Sequence, residues 1–279
     1  MSELFGIIGN PIGHSLSPLI QNEAYELNEI DAYFKAFHVE SKDLESAIKG
    51  MKAIGVKGFM VTVPFKAKVI PFLDEVDPMA AKKKAVNVVQ LIDGKFVGYN
   101  FDGEAWLKAL LEDMNTQSID KESILIVGAG GAAQSIYHTL SQYENLHIDI
   151  ANRTVEKAEE LKKLGGNHKQ TTVISLEEAE NKQNQYDIIV QTTSIGMWPE
   201  INQSPITITN LKESAFVSDI IYNPAESELL KQARKNGART QNGMKMLALQ
   251  NALAIEMWTG RKVDYEKMMK SLKEALRFI

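Results

Sequence analysis

The apolar positions of this chain fall into short runs separated by stretches of helical spacing, and the rhythm starts twice. Residues 4–9 make a short apolar run that ends in glycine, and Ser17-Pro18 opens a helix reaching about Leu27. Residues 32–39 alternate as a second strand, 43–50 are helical, and 58–63 form a third strand closed by Pro64. That β-α-β-α-β order predicts an open α/β sheet. Residues 86–92 and 95–98 flank Asp93-Gly94, a dipeptide that favours a tight hairpin. From Ile124 the alternation restarts, with strands expected at 124–127, 148–151, 173–174, 187–191 and 216–219. The chain then returns to helix, where Tyr265, Met268, Met269, Leu272, Leu276 and Ile279 recur every three or four residues. An apolar face this wide needs cover, so this segment is expected to pack back on the first domain and make it discontinuous. The predicted division is 1–102 with 241–279, and 103–240.

The second unit opens on a glycine turn, Ile124-Leu-Ile-Val-Gly128-Ala-Gly130-Gly131-Ala132-Ala133. An apolar strand, a glycine for the sharp turn and a second glycine for close backbone approach suit a pyrophosphate, held on the free N–H groups of the following helix. Such a turn alone is a weak signal; the residues after the next expected strand sharpen it. There the chain reads Asn152-Arg153-Thr154, where an NAD-binding unit usually carries an acid for the ribose hydroxyl. A guanidinium fork suits a 2′-phosphate, so the expected cofactor is NADP. The blander alternative for Arg153 is a solvated residue at a helix start, and Asp149 ranks second as a ribose acid because it lies before the strand's end.

Composition narrows the class. A chain of 279 residues suits two domains, and its 31 basic and 36 acidic residues are mixed along its length, giving a formal charge of -5. Nucleic acid is therefore not an expected partner. With no cysteine, thiolate catalysis and cysteine metal sites are excluded. The five histidines, His14, His38, His138, His147 and His168, show no ligand spacing, so no metal is expected. No apolar run reaches the ~18 residues of a membrane helix, and the start lacks a basic region followed by a long apolar one. A cytoplasmic protein is expected, without a membrane partner, as a monomer or homodimer.

The chemistry-bearing residues of the first half sit at strand ends. Ser15-Leu16-Ser17-Pro18 places two hydroxyls two residues apart, a pair that can hold a carboxylate; on these residues alone Ser17 reads first as the cap of a helix that begins at Pro18, and the two readings are compatible. Val61-Thr62-Val63-Pro64-Phe65-Lys66 sets a hydroxyl and an ammonium where a strand gives way to a loop, the edge at which α/β folds bind ligands. Ala85-Val86-Asn87 and Gly98-Tyr99-Asn100-Phe101-Asp102-Gly103 follow. Gln250 interrupts an apolar helical face, four residues after Met246.

Taken in order, these segments resemble the shikimate dehydrogenase family, its shikimate/quinate branch included. S-L-S-P, V-T-V-P-F-K, A-V-N, N-x-D-G, G-A-G-G-A-A, N-R-T-x-x-K, T-S-x-G-M, D-I-x-Y-N-P and M-L-x-x-Q run along essentially the whole chain. The resemblance implies an N-terminal open α/β substrate domain, a Rossmann-type dinucleotide-binding domain and C-terminal helices returning to the first. It implies NADP-dependent reversible reduction of 3-dehydroshikimate to shikimate, with a quinate/shikimate dehydrogenase using NAD, or a non-catalytic NADP-sensing paralogue, as alternatives. By resemblance Lys66 and Asp102 are the catalytic pair. Ser15 and Ser17 bind the substrate carboxylate, and Thr62, Asn87 and Gln250 bind it or its ring hydroxyls. Gly128, Gly130, Gly131, Ala132, Asn152, Arg153, Thr154 and Lys157 bind NADP, and Ile220, Tyr222, Gly243 and Met246 line the nicotinamide side. A lysine paired with a carboxylate can orient a ring hydroxyl and pass its proton; the sequence leaves open which member is the base. The chain departs from the family pattern at Met60, where Asn is usual, and at Phe101, where Thr is usual. Lys84, Val88, Ala105 and Gln191 replace the usual Gly, Thr, Gly and Asn. Losing an amide at Met60 and gaining an aromatic ring beside Asp102 predict a retuned substrate preference rather than lost chemistry.

Overall fold

The computed structural model describes residues 2–166 and 170–276, so the expectations for His168 and Ile279 lie outside the described residues. The chain forms two compact units, Met1–Asp102 with Leu247–Ile279, and Gly103–Met246. The first begins β1 (Glu3–Gly9), α1 (Ser17–Leu27), β2 (Ala32–His38), α2 (Leu44–Ala53) and β3 (Gly58–Val61). It continues β4 (Glu75–Val76), α3 (Pro78–Lys83), β5 (Val88–Ile92) and β6 (Lys95–Tyr99). Its sheet runs β2-β1-β3-β5-β6-β4. The strands β2, β1 and β3 are parallel, whereas β5 reverses against β3 and β6 against β5. The hairpin turn has left-handed backbone at both Asp93 (φ 48°) and Gly94 (φ 78°), which matches the twist of the strands it joins.

After β6 follow α4 (Asp102–Met114), β7 (Ser123–Val127), α5 (Gly131–Leu140), β8 (His147–Ala151), α6 (Val155–Lys162) and β9 (Thr171–Ile174). Then come α7 (Leu176–Asn181), β10 (Ile188–Gln191), β11 (Phe216–Asp219), α8 (Glu228–Lys235) and β12 (Arg239–Gln241). Helices α9 (Met244–Thr259) and α10 (Tyr265–Ala275) complete the described chain. The second sheet is wholly parallel, in the order β12-β11-β10-β7-β8-β9. Read from β9 this is the 3-2-1-4-5-6 order of a doubly wound dinucleotide-binding sheet, whose chain reverses direction between β7 and β10. Its central strands are buried on both faces, which is why residues 124–127 and 188–190 read as unbroken apolar runs.

In the first unit the sheet separates two cores. Phe59 and Val61 join Ile8, Leu44, Ile48, Met51 and Phe96 on one face, under α2. On the other face Phe5 stacks on Trp258 of α9, with ring centroids 4.7 Å apart. Gly58 makes that possible, since any Cβ there would collide with the Trp258 indole, whose Nε1–H donates to the Val89 carbonyl at 3.0 Å. Helix α10 packs on α1 through its buried Met268, Met269 and Leu272. The third strand ends at Val61, not at 63, because Phe65 N–H turns back to the Thr62 carbonyl and Pro64 has no N–H to offer a ladder. Helix α3 and the two-residue β4 have no counterpart in the apolar pattern. Both are too short to show a period.

Candidate active site and dinucleotide edge

The mixed topology brings separate segments to one edge of the first sheet. The loops after β1, β3 and β6 leave from carboxyl ends, and the antiparallel β5 begins at that same edge. Hence Ser15, Ser17, Thr62, Lys66, Asn87 and Asp102 all lie there. The centre is an ion pair: Lys66 Nζ donates to Asp102 Oδ2 at 2.6 Å. The carboxylate is fully buried and the ammonium retains 17% of its side-chain exposure. Asn87 Nδ2 donates to Asp102 Oδ1 at 3.0 Å and to Gln250 Oε1 at 3.2 Å. Backbone pairing fixes Asn87, whose N–H reaches the Tyr99 carbonyl while its own carbonyl accepts from Val61. Lys66 is anchored likewise, its carbonyl accepting from Val86 N–H.

The serine pair folds differently from the expected cap. Ser17 is the first helical residue of α1 and Leu16 is the cap, with no capping side chain of its own. It is the Ser15 hydroxyl that accepts from Ser17 N–H, at 3.3 Å. The Ile20 N–H, which a capping Ser17 hydroxyl would take, donates instead to the Leu16 carbonyl at 3.2 Å, so the helix begins one residue earlier than Pro18.

Met60 is buried on β3, and its thioether lies 3.8 Å from Gln21 Nε2, which donates to Asn251 Oδ1 at 3.0 Å. Beside Phe101, Asp102 keeps its contact with Lys66. The Phe101 ring stacks on Tyr99 (centroids 6.4 Å apart, 17° between planes) while the Phe101 N–H donates to Asn87 Oδ1 at 2.9 Å. Lys84 takes the left-handed conformation that its usual glycine would favour (φ 51°), ending α3.

The cofactor candidates occupy the carboxyl edge of the second sheet. Gly128 has φ 115°, and a Cβ on it would sit 2.5 Å from Thr192 Oγ1, in the loop after β10. Gly130 is the cap of α5, with open space where a Cβ would be. A turn this bare before a helix N-terminus fits a pyrophosphate. Gly131 and Ala132 form the first turn of α5. After β8, Asn152 Nδ2 donates to the Thr154 carbonyl at 2.8 Å and shapes the loop, while Arg153, Thr154 and Lys157 are exposed. Asp149 is already engaged, accepting from the Tyr186 hydroxyl at 2.6 Å, which leaves Arg153 as the residue presented at the strand's end. Gly243 N–H donates to the Ile221 carbonyl at 2.9 Å, and a Cβ on Gly243 would collide with the Ile220 carbonyl. Ile220 and Tyr222 are half-buried there, and Met246 is buried in the first turn of α9.

The positioning roles of three residues, two in these loops and one on α3, escaped the sequence reading. Gln191, in place of an asparagine, donates to the Thr193 and Ile195 carbonyls at 3.2 and 3.1 Å and accepts from Thr193 N–H. Asp219 accepts from Ile221 N–H at 2.9 Å and from the Ser227 hydroxyl at 2.6 Å, and burial pushes its carboxyl up to about 6. Lys83 is a buried lysine behind Asp102 whose Nζ donates to the Asn100 carbonyl at 3.0 Å. Among the described residues, no three metal-ligating side chains cluster, and no helix is long and apolar enough to cross a membrane.

Comparison with known proteins agrees with this fold. Residues 7–89 match the shikimate dehydrogenase substrate binding domain, 110–228 the shikimate / quinate 5-dehydrogenase family, and 243–273 the shikimate 5′-dehydrogenase C-terminal domain. The shikimate dehydrogenase (NADP(+)) of Bacillus cereus (strain AH187) is 47% identical over 268 residues, 96% of each chain. A shikimate dehydrogenase solved in complex with NADP+ superposes with a TM-score of 0.91 at 37% identity, over 99% of this chain and 96% of that one. The shikimate 5-dehydrogenase of Listeria monocytogenes, solved with shikimate and NAD, gives 0.87 at 30% identity, over 97% and 96%. With its two α/β units, its lysine–aspartate pair and matches along nearly its whole length, the chain belongs to the shikimate dehydrogenase family of oxidoreductases.

Proposed function

We propose that this protein catalyses the reversible, NADP-dependent reduction of 3-dehydroshikimate to shikimate. The observation that carries the reading is the Lys66–Asp102 pair, one oxygen of a buried carboxylate on the ammonium and the other on Asn87. In the reducing direction Lys66 gives a proton from Nζ to the ring ketone oxygen as negative charge develops there, and Asp102 keeps the ammonium aimed. Its residual exposure lets Lys66 regain that proton from solvent. When bound, the dinucleotide supplies the hydride in this direction and receives it in the other. Asn87, with Gln250 behind it, and Thr62 orient the ring hydroxyls; Ser15 and Ser17 receive the carboxylate. The glycine turn of residues 128–131, Ala132, Asn152, Thr154 and Lys157 hold the dinucleotide, with Ile220, Tyr222, Gly243 and Met246 on its nicotinamide side.

Arg153 selects the phosphorylated cofactor. It is exposed where an NAD-binding unit would present an acid, and a guanidinium on a phosphate contributes about 1.5–3 kcal/mol. The Bacillus cereus relative's name carries NADP(+), which supports the same choice. Met60 retunes the ring contacts, since a thioether cannot replace an amide as hydrogen-bond donor.

The test is to supply 3-dehydroshikimate and NADPH and identify the product. Shikimate is expected from the wild type and not from Lys66→Ala, with NADP binding retained by the variant. Full turnover in Lys66→Ala would remove the pair from the mechanism.

A further inference from the structure

Behind the Lys66–Asp102 pair lies a second lysine that the proposed reaction does not use. Lys83 closes α3, inside a run of three lysines, yet it is 1% exposed while Lys82 and Lys84 face solvent. A buried ammonium is costly unless hydrogen-bonded, and here Nζ donates to the Asn100 carbonyl at 3.0 Å. The same peptide unit continues the path on its other side. Its N–H, that of Phe101, donates to Asn87 Oδ1 at 2.9 Å, and Asn87 Nδ2 then donates to Asp102 Oδ1 at 3.0 Å. Every link points the same way: ammonium to carbonyl, N–H to amide oxygen, amide N–H to carboxylate.

The segments that carry this path are clamped together. Asn100 Nδ2 donates to the Ala85 carbonyl at 2.8 Å, and Asp102 N–H donates to Asn100 Oδ1 at 3.0 Å. The left-handed Lys84 turns the chain from α3 into this clamp. Amides in series between a cation and an anion polarise one another, so each bond is stronger than it would be alone. The path also fixes the Asn87 amide one way round: Oδ1 toward Phe101, Nδ2 toward Asp102 and Gln250.

We propose that Lys83 is a positioning residue for the reaction, acting on Asp102 through the 100–101 peptide and the Asn87 side chain. The proposal rests on the catalytic reading of Lys66 and Asp102. This network links Asp102 to two ammonium groups, Lys66 directly and Lys83 through two amides. Removing the distant positive charge weakens the last bond to the carboxylate and loosens the amide that faces substrate.

The variant is Lys83→Met, nearly isosteric and uncharged, with Lys83→Gln as a second variant should the first not fold. In the folded variant kcat is expected to fall on the order of tenfold, with KM for shikimate changed less than about threefold. The acid limb of the pH profile of kcat/KM should move to higher pH. In the ligand-free protein, the Asn87 side-chain amide proton facing Asp102, assigned with Asn87→Asp, should move upfield in the NMR spectrum. A wild-type pH limb and an unmoved Asn87 resonance would overturn the proposal, whatever the change in thermal stability. Asp102→Asn, assayed alongside, separates the two readings: its full activity would sink the catalytic pair itself, while its silence beside an unaltered Lys83→Met would sink only the role of Lys83.

Discussion

Lys66 Nζ stands 2.6 Å from Asp102 Oδ2, and the two partners differ sharply in exposure: the carboxylate has none and the ammonium has some. The carboxylate is thus held still while the ammonium reaches outward. Asp102→Asn should lower kcat by about 10²–10⁴-fold, the usual contribution of a positioned proton-transfer group. Equilibrium titration should find NADP affinity within about twofold of wild type, because no cofactor contact is removed. Preserved turnover would mean that the pair is structural.

Arg153→Ala should weaken NADP binding by about ten- to a hundredfold, the equivalent of one charge-assisted hydrogen-bond set, and leave NAD binding nearly unchanged. Titrating both cofactors into the variant checks this. Equal weakening of both would show that Arg153 serves the loop rather than the phosphate.

Asp219 makes stability depend on pH. Its folded carboxyl sits at about 6, above the ordinary 3.8, because burial disfavours the charge more than its two hydrogen bonds favour it. Between these values the folded state holds more proton than the unfolded one. Stability therefore falls as pH rises through this window, by about 3 kcal/mol at most. Asp219→Asn keeps both contacts, with its amide oxygen for Ile221 N–H and its amide N–H for Ser227. It should flatten the profile and be the more stable protein at pH 8. Chemical denaturation at pH 4.5 and 8 decides; an unchanged difference between the two pH values would clear Asp219 of the effect.

Lys84→Gly should stabilise the protein by about 0.5–1 kcal/mol, since the strain of left-handed backbone in lysine exceeds the entropy glycine loses on folding. Gly243→Ala should do the reverse, because its methyl group meets the Ile220 carbonyl. Denaturant midpoints measure both, and a destabilised Lys84→Gly would show that Lys84 has a favourable contact offsetting its strain.

The sequence was most readable where a pattern has one physical cause. Parallel strands buried on both faces leave unbroken apolar runs, so 124–127 and 187–191 were legible to within a residue or two. Asp93-Gly94 announced its hairpin, and Gly128 its turn. The pairing of Lys66 with Asp102 came from family resemblance, since a lysine after a strand is usually solvated. Lys83 was hidden for a related reason. Three lysines in a row read as a wet helix end, and only the register of α3, which buries Ala80 and Lys83 on one side, singles out the middle one. Ser17 misled because serine before proline suggests a cap, whereas the Ser15 hydroxyl takes the helix N–H. Asp219 and Gln191 hold loops by bonds to groups two to eight residues away, and such bonds leave no periodic trace.

The most direct measurement is steady-state turnover of the purified protein with shikimate and quinate crossed against NADP and NAD. The specificity constant should be highest for shikimate with NADP, exceeding each of the other three combinations by roughly a hundredfold. Turnover carried mainly by NAD would contradict the role assigned to the Arg153 guanidinium, turnover carried mainly by quinate would contradict the choice of shikimate as the ring acid, and silence in all four would contradict the catalytic reading altogether.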